Sequence, residues 1–574
     1  MEVLMKHGKY HEIRPLVSMK DLIDSGAKVF NDKPAFLTKK VKGGEYTEVS
    51  FRKVKEDVDA LGTYLLHLGL KGEKIAVIGP NCYQWVVAYF SIVNGTGVVV
   101  PLDKELSPSE IKNLIKAGEC KAVFTTPEFV DTLKETGIEY IFNMDPYEID
   151  KSGDSDHIQT MITEGNELLA AGDKRFVDAI IDSEATTAIL FTSGTTDVPK
   201  GVMLSHQNIT FVVKGVSQMC QLQENDRSLS ILPIHHTFES TIGIMVILFQ
   251  GSSIAFFEGL KYVVKNLQES QASILVAVPL IIESIYEKIW KQAKETKKDG
   301  LLRTAIRINK TLLALGIDKR RKIFSSVYRN FGGNLRFFVC GAASINPTVV
   351  KGLMDLGFEI TIGYGLTETA PLASGVSDFE YDMLYRKPGA CGRALPGGEL
   401  KIINKDEDGI GEIIYRGPNV MQGYYKMPEK TAEVIIDGWF HTGDLGFIDK
   451  NDWLYITGRK KNVIVTKTGK NIYPEELEEL LKDNPYVKES MVYGLEDDKG
   501  EGMSVAVQII PDKDAIEAEF GKDKSEKEIH DILKESLHTI NEKLPSYKRI
   551  RNIVVREEDF VKTTTKKIKR NANL

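Results

Sequence analysis

Cysteine is scarce in this chain of 574 residues. Cys82, Cys120, Cys220, Cys340 and Cys391 are odd in number, widely spaced and free of any C-x-x-C pair. That argues against a disulfide framework or a structural zinc site and for a reducing cytosol. Long apolar runs are also missing. The strongest, Ile242–Phe249 and Ile274–Ile282, fall well short of the ~20 residues that a membrane-spanning helix needs. Met1–His7 has no apolar stretch of signal-peptide length. Nor is there an excess of cations. With 74 Lys and Arg against 81 Asp and Glu the net charge is −7, which gives no global electrostatic reason to bind nucleic acid. What is present is 42% hydrophobic and 27% charged, with 48 Gly and 20 Pro. This composition excludes collagen-like, low-complexity and wholly disordered chains. The length fits about three to five domain-sized units.

The first part alternates strand-like and helix-like segments. Short apolar runs at Lys74–Gly79, Gly97–Pro101, Lys121–Thr125, Ser230–Pro233, Ser253–Phe257 and Ile274–Val278 are separated by segments of helical length, among them Tyr83–Val93. That pattern predicts an α/β architecture with parallel sheets. After Gly389 the texture changes to short strands and turns, Gly398–Ile403, Gly411–Tyr415 and Trp453–Ile456, which reads as a small antiparallel β unit beginning at about 390. A final α+β block holds a helix at Pro474–Lys482, strands at Ser490–Tyr493 and Ser504–Ile510 and a long charged helix at Ser525–Lys543. The expected division is an N-terminal domain over 1–458 and a C-terminal domain over 459–574.

Between Lys288 and Arg329 thirteen lysines and arginines face only Glu295, Asp299 and Asp318, with Leu301, Ile306, Leu312, Leu313 and Ile317 interleaved. Helices with basic faces are expected there. They suit a solvated insertion, or peripheral contact with an anionic membrane.

Chemistry concentrates in a few turns. Ala188–Gly201 runs from an apolar strand into Thr192-Ser-Gly-Thr-Thr196 and then Pro-Lys-Gly. Backbone N–H groups, hydroxyls and Lys200 can hold phosphate oxygens there. It is not a Walker loop, because the second Gly would fall at Pro199 and the magnesium-binding hydroxyl at Gly201. Gly363-Tyr-Gly-Leu-Thr-Glu-Thr369 is a second Gly-punctuated loop. Its Tyr364 can cover a purine and its Glu368 can ligate Mg²⁺ carried on phosphates. Thr442-Gly-Asp444 sets a carboxylate in a turn, as a ribose diol requires. Lys562–Arg570 adds a cluster of cations near the C-terminus.

Together these segments resemble the adenylate-forming acyl-CoA synthetases. The resemblance runs from roughly residue 30 to the end, with six elements in the family's order: Thr192–Gly201, Leu232-Pro-Ile-His-His-Thr-Phe238, Gly363–Thr369, Thr442–Asp444, Gly458–Lys461 and Thr563–Arg570. It implies that Thr192, Ser193, Gly194, Thr195, Thr196 and Lys200 hold the β- and γ-phosphates. Tyr364 and Gly365 would contact adenine, with Gly341, Ala342 and Ala343 along its other edge. Thr367 and Glu368 would serve the α-phosphate and Mg²⁺, Asp444 the ribose with Arg459 beside it, and Lys461 the hinge of a mobile C-terminal domain. Lys567 would bridge the substrate carboxylate and α-phosphate, and His236, next to His235, would stand near that carboxylate. The substrates implied are ATP, coenzyme A and a carboxylic acid.

Two positions depart from the family. Asp197 stands where Gly or Ser is usual, and Lys566 replaces the Gly before the last lysine. The stretch after the Leu-Pro segment has no Asp to pair a substrate ammonium, although Glu239 is close by. A substrate without an α-amine is therefore expected. The basic segment resembles the insertion of long-chain fatty-acyl-CoA synthetases, which implies a medium- to long-chain fatty acid. An acyl-ACP synthetase or fatty-acyl-AMP ligase, a phosphotransferase releasing ADP, and a non-catalytic nucleotide- or lipid-binding relative stay open from the sequence.

Overall fold

A computed structural model describes residues 10–147, 156–192, 199–466, 470–496, 503–562 and 567–574. The chain divides into two compact units. The first runs to Glu399 and adds Arg416–Phe440, and the second takes Leu400–Tyr415 and His441–Leu574. The small β unit expected from about 390 is thus divided, with much of it grouped with the C-terminal block.

The first unit is α/β and is built on two sheets. Seven strands lie in the order Gly423–Tyr424, Lys200–Ser205, Thr186–Thr192, Val98–Leu102, Lys74–Ile78, Ala122–Thr125 and Tyr140–Asn143. The run from Thr186–Thr192 to Tyr140–Asn143 is parallel. Nine strands form the other sheet, in the order Arg393–Ala394, Ser374–Gly375, Glu359–Tyr364, Phe337–Cys340, Ile274–Ala277, Arg227–Ser230, Ser253–Phe256, Pro34–Lys39 and Tyr46–Ser50. Its centre is parallel as well. Ile75–Ile78, Ala122–Thr125 and Ile274–Ala277 are buried at every position. Parallel strands covered on both faces read as unbroken apolar runs, which is why the short runs in the sequence mark them.

One expected strand is displaced. The run at Ser230–Pro233 belongs to a strand, Arg227–Ser230, that ends where the run begins. Pro233 has no N–H to donate to a sheet ladder, and the chain leaves the sheet ahead of it. The helix expected at Tyr83–Val93 is Tyr83–Ser91, continued by π-helical turns over Ile92–Thr96. The basic segment is helical, with Pro279–Glu295, Asp299–Ala314, Arg320–Ile323 and Ser325–Arg329. No helix among the described residues is long and apolar enough to cross a membrane.

Strand Trp439–Ile448, in the second unit from His441 onward, pairs antiparallel with Leu454–Arg459, with Asp444 opposite Arg459. Further along, Val487–Glu496, Met503–Pro511 and Ile550–Val555 make a three-stranded sheet. It buries Val492, Val505, Val507 and Ile509 against Leu477 and Leu481 of helix Pro474–Leu481 and Leu533 and Leu537 of helix Glu526–Glu542. The long helix starts at a capping box in which Ser525 and Glu528 exchange side-chain and backbone hydrogen bonds. Such a box satisfies N–H groups that a helix start leaves bare.

Candidate active site

Four parallel strands of the nine-stranded sheet, Arg227–Ser230, Ile274–Ala277, Phe337–Cys340 and Glu359–Tyr364, end at one edge. Open α/β sheets hold their ligands at this carboxyl edge. Leu232–Phe238 follows the first strand, Gly341–Ala343 follows the third, and Tyr364 closes the fourth. A Cβ added to Gly341 would lie 2.9 Å from the Phe238 ring, so the absence of a side chain lets these two segments touch. Ala342 holds φ at 73°, a left-handed conformation that is uncommon outside glycine and concentrates at functional sites. Tyr364 is buried. At Gly365 an added Cβ would sit 1.9 Å from the Pro371 carbonyl oxygen, so only glycine fits where loop 363–369 meets Pro371.

Tyr424 links Lys200, on the strand that follows the first turn in sequence, to the second glycine-punctuated loop. Thr192 and Lys200 face each other across the antiparallel pair that flanks the first turn, and Thr192 Oγ1 donates to the Lys200 carbonyl at 3.4 Å. The Lys200 ammonium lies 4.9 Å over the Tyr424 ring, within cation–π range. The Tyr424 hydroxyl donates to Glu368 Oε1 at 2.9 Å. Glu368 stands on the 3₁₀ turn Thr367–Thr369, and the Met421 N–H anchors its carbonyl at 2.8 Å. Burial, and then the Glu368 carboxylate, raise the Tyr424 phenol above its ordinary range, so it stays a donor. Asn419 holds the same loop from behind, donating to Thr369 O at 2.8 Å and Leu372 O at 2.7 Å.

The Leu-Pro segment is clamped by Asn81, from the loop after strand Lys74–Ile78. Asn81 Nδ2 donates to Ser230 Oγ at 2.8 Å and to the Leu232 carbonyl at 2.6 Å. The Ile234 N–H donates to Asn81 Oδ1 at 3.2 Å. The His235 and His236 rings lie against each other, tilted by 37°, with centroids 4.3 Å apart. His235 Nε2 is 3.6 Å from Asp103 Oδ2. Burial, then His236 and Lys104, push the His235 pKa well below its ordinary value, so the ring is neutral and the contact is not an ion pair. Glu239, at the start of the π-helix Phe238–Val246, is fully buried. It accepts from Ser230 Oγ at 2.5 Å, and burial pushes its carboxyl up to about 8. This carboxyl is committed to the protein interior.

In the second unit Arg459 Nε lies 2.7 Å from Asp444 Oδ1. Thr442 fixes the turn. Its hydroxyl donates to the Ile413 carbonyl at 2.7 Å and accepts from the Asp444 N–H at 3.1 Å. Lys567 joins this group electrostatically. Crowding around its ammonium, and then the Arg459 guanidinium, lower its pKa, while Asp444 raises it. The residue as a whole remains exposed, so the lowering belongs to the head group. Lys461 is lowered for the same reasons, burial first and Arg459 next. Two of the C-terminal cations are tied down: Lys562 Nζ pairs with Glu489 at 2.6 Å, and Arg570 Nη2 pairs with Glu478 at 2.6 Å.

Of the expected site residues, Thr192, Lys200, Gly341, Ala342, Ala343, Tyr364, Gly365, Thr367, Glu368 and His236 fall in the first unit. Asp444, Arg459, Lys461 and Lys567 fall in the second. Ser193, Gly194, Thr195 and Thr196, and the departures Asp197 and Lys566, lie outside the described residues. The sequence reading missed Asn81 and Tyr424. Gly79-Pro-Asn81 at the end of an apolar run is a turn signal for the first. Nothing local marks the second.

The family model for AMP-binding enzymes matches residues 23–425, and the model for the AMP-binding enzyme C-terminal domain matches 461–574. Long-chain-fatty-acid–CoA ligase 1 of Cavia porcellus is 28% identical over 96% of this chain and 83% of its own length. The ligase of the same name from Homo sapiens is 30% identical over 82% of this chain and 70% of its own length. Among solved structures, o-succinylbenzoate CoA synthetase of Bacillus subtilis, in complex with its acyl-adenylate intermediate, gives a TM-score of 0.72 at 21% identity. That match covers 96% of this chain and 97% of the other. The chain belongs to the AMP-binding enzyme family, within the adenylate-forming superfamily that its motifs resemble.

Proposed function

We propose that this protein joins a medium- to long-chain fatty acid to coenzyme A at the expense of ATP, through an acyl-adenylate. The observation that carries the reading is the Lys200–Tyr424–Glu368 chain, which ties the lysine that follows the hydroxyl-rich turn in sequence to the second glycine-punctuated loop. A cation and a carboxylate held on one tyrosine suit a polyphosphate with its counter-ion.

A carboxylate at neutral pH repels nucleophiles and has no good leaving group. In the first half-reaction a carboxylate oxygen attacks the α-phosphorus of ATP, the bond to the β-phosphate oxygen breaks, and pyrophosphate leaves. In the second, the coenzyme A thiol loses its proton and attacks the acyl carbon, the bond to the AMP oxygen breaks, and AMP leaves. Lys200 and the turn after Thr192 hold the β- and γ-phosphates. Tyr364 and Gly365 take one face of the adenine, and Gly341, Ala342 and Ala343 its edge. Asp444 accepts from the ribose hydroxyls, Thr367 holds the α-phosphate, and Lys567 balances the charge that spreads there as bonds change. His236 stands by the acid, and Lys461 is the hinge that exchanges one half-reaction for the other.

Mg²⁺ fits the donor set. Among the described residues no cluster of three or more His, Cys, Asp or Glu forms a protein cage. Mg²⁺ typically uses one or two carboxylates together with substrate phosphates and water, and Glu368 is the carboxylate available for it. Bound on the phosphates, the ion supplies charge neutralisation.

The substrate class rests on the names of the relatives and on Glu239. Glu239 is fully buried, and burial pushes its carboxyl up to about 8, which leaves it poorly suited to pairing a substrate ammonium. Segment 288–329 is read as the part of the chain that meets a membrane surface. A carrier-protein thiol is the alternative acceptor. The test is a panel of carboxylic acids with ATP and coenzyme A, scored for AMP and acyl-CoA. Long and medium chains should give both products. AMP without acyl-CoA would move the acceptor to a carrier protein, and ADP would refute the reading.

A further inference from the structure

Lys567 lies on a strap that ends the chain. At its base Lys562 and Ile568 pair as an antiparallel bridge, and the Lys569 N–H donates to the Val561 carbonyl at 2.9 Å. Asn573, which is buried, clasps the same base. It accepts from the Val561 N–H at 2.9 Å and donates to the Val561 and Lys569 carbonyls at 3.0 and 2.8 Å. These bonds close the strap on itself. Its seat on the sheet is apolar, Phe560 and Ile568 against Met491 and Ile510, and apolar contact is non-directional.

Direction comes from Arg570. Its Nη1 donates to the Val492 carbonyl at 2.6 Å, and its Nη2 to both carboxylate oxygens of Glu478 at 2.6 and 2.7 Å. Glu478 also accepts from the Val492 N–H at 2.7 Å, so strap, strand Val487–Glu496 and helix Pro474–Leu481 meet at one guanidinium. A planar fork fixes the angle of its partners, which an ammonium does not. The helix carries the constraint onward. Glu475 Oε1 accepts from Asn462 Nδ2 at 2.6 Å and lies 3.6 Å from Arg570 Nη2. A Cβ added to Gly458 would sit 2.5 Å from Glu475 Oε2, so the helix packs directly on the residue before Arg459. Contacts therefore run from the Asp444–Arg459 pair, through Glu475, to the strap that bears Lys567.

We propose that Arg570 is a positioning residue for adenylation, its fork to Val492 and Glu478 aiming the strap so that Lys567 meets the reacting carboxylate and α-phosphate. This role rests on that of Lys567 in the first half-reaction. The experiment is single-turnover measurement of the two half-reactions on the intact protein carrying Arg570→Lys or Arg570→Gln. Misplacing a reacting group by about 1 Å costs on the order of 10²-fold, so acyl-adenylate formation should fall roughly 10- to 100-fold. Acyl-adenylate supplied ready-made should still become acyl-CoA at the native rate, which also reports that the C-terminal block is folded. Because Arg570 acts through Lys567, Arg570→Lys added to Lys567→Ala should cost nothing further. Equal losses in the two half-reactions would mark a merely structural part and overturn the proposal. Unchanged adenylation, or losses that multiply with Lys567→Ala, would overturn it as well. Normal adenylation by Lys567→Ala alone would instead remove the role of Lys567, and that of Arg570 with it.

Discussion

Asp444 and Arg459 are register partners on adjacent antiparallel strands, and Arg459 Nε meets Asp444 Oδ1 at 2.7 Å. The pair leaves the carboxylate oriented, since Thr442 fixes the backbone N–H of Asp444 and Arg459 fixes one of its oxygens. A carboxylate has enough acceptor sites to serve an arginine and a sugar diol together. Asp444→Ala is therefore expected to raise the apparent KM for ATP roughly 10- to 100-fold, the range for losing one or two hydrogen bonds to a charged group. Unchanged nucleotide affinity would remove the ribose role.

Lys567 lies in the field of that pair, its ammonium disfavoured by crowding and by Arg459 and favoured by Asp444. An incoming carboxylate and α-phosphate would add to the negative charge that Asp444 already brings to this setting. Lys567→Ala should reduce acyl-adenylate formation by about 10²–10³-fold, while acyl-adenylate supplied ready-made is still converted to thioester. Single-turnover assays of the two half-reactions separate these outcomes. Normal adenylation by the variant would retire the assignment.

Tyr424 contributes a hydroxyl to Glu368 and a ring to Lys200. Tyr424→Phe keeps the ring and removes the hydroxyl. We expect kcat/KM for ATP to fall roughly tenfold, the size of one hydrogen bond to a carboxylate, with a higher Mg²⁺ requirement. Tyr424→Leu, which removes both contacts, should cost more. A Tyr424→Phe variant that behaves like the native protein would show that the hydroxyl does nothing for Glu368, and equal losses in both variants would show that the ring does nothing for Lys200.

His206 governs a pH effect remote from these groups. Its Nδ1 accepts from the Met19 N–H at 3.1 Å, and its Nε2 faces the Val93 carbonyl at 3.1 Å. A second ring proton would point at a donor. Burial accordingly pushes its pKa down to about 4 from an ordinary 6.5. Between those values the unfolded chain takes up a proton that the folded ring refuses, so stability falls as pH falls from 6.5 towards 4, by about 3 kcal/mol in total. Comparing unfolding free energies of the native protein and His206→Gln across that window isolates the contribution. The variant should show a shallower acid slope, and identical slopes would contradict the account.

Much of the architecture is legible because parallel strands are buried on both faces and so write themselves as apolar runs, as at Lys74–Ile78 and Ile274–Ala277. Ser230–Pro233 misleads for the same reason. Ile231 and Leu232 are buried without belonging to a strand, since Asn81 rather than a neighbouring strand takes the Leu232 carbonyl. The two half-sites are partly legible. Turns built from Gly, Thr, Asp and Lys announce phosphate and sugar chemistry locally, but Asn81 and Tyr424 act on partners 149 and 56 residues away, which no local pattern encodes. Glu239 reads as a surface charge in the sequence and is a fully buried group in the fold, its carboxyl pushed up to about 8 by burial, because burial is a property of the packing around it. The exposure of Leu301 and Ile308 on helix Asp299–Ala314, and of Leu315 at its end, is hidden for the converse reason: periodicity shows that apolar residues align, not which aligned face is covered.

The central claim is that an acid is joined to AMP before any thiol takes part. Exchange of labelled pyrophosphate into ATP, with a long-chain fatty acid present and coenzyme A left out, tests that order of events. We predict exchange that depends on both the fatty acid and Mg²⁺ and collapses in Lys567→Ala. Fatty-acid-dependent release of ADP, or acyl-CoA formation with no exchange under these conditions, would contradict it.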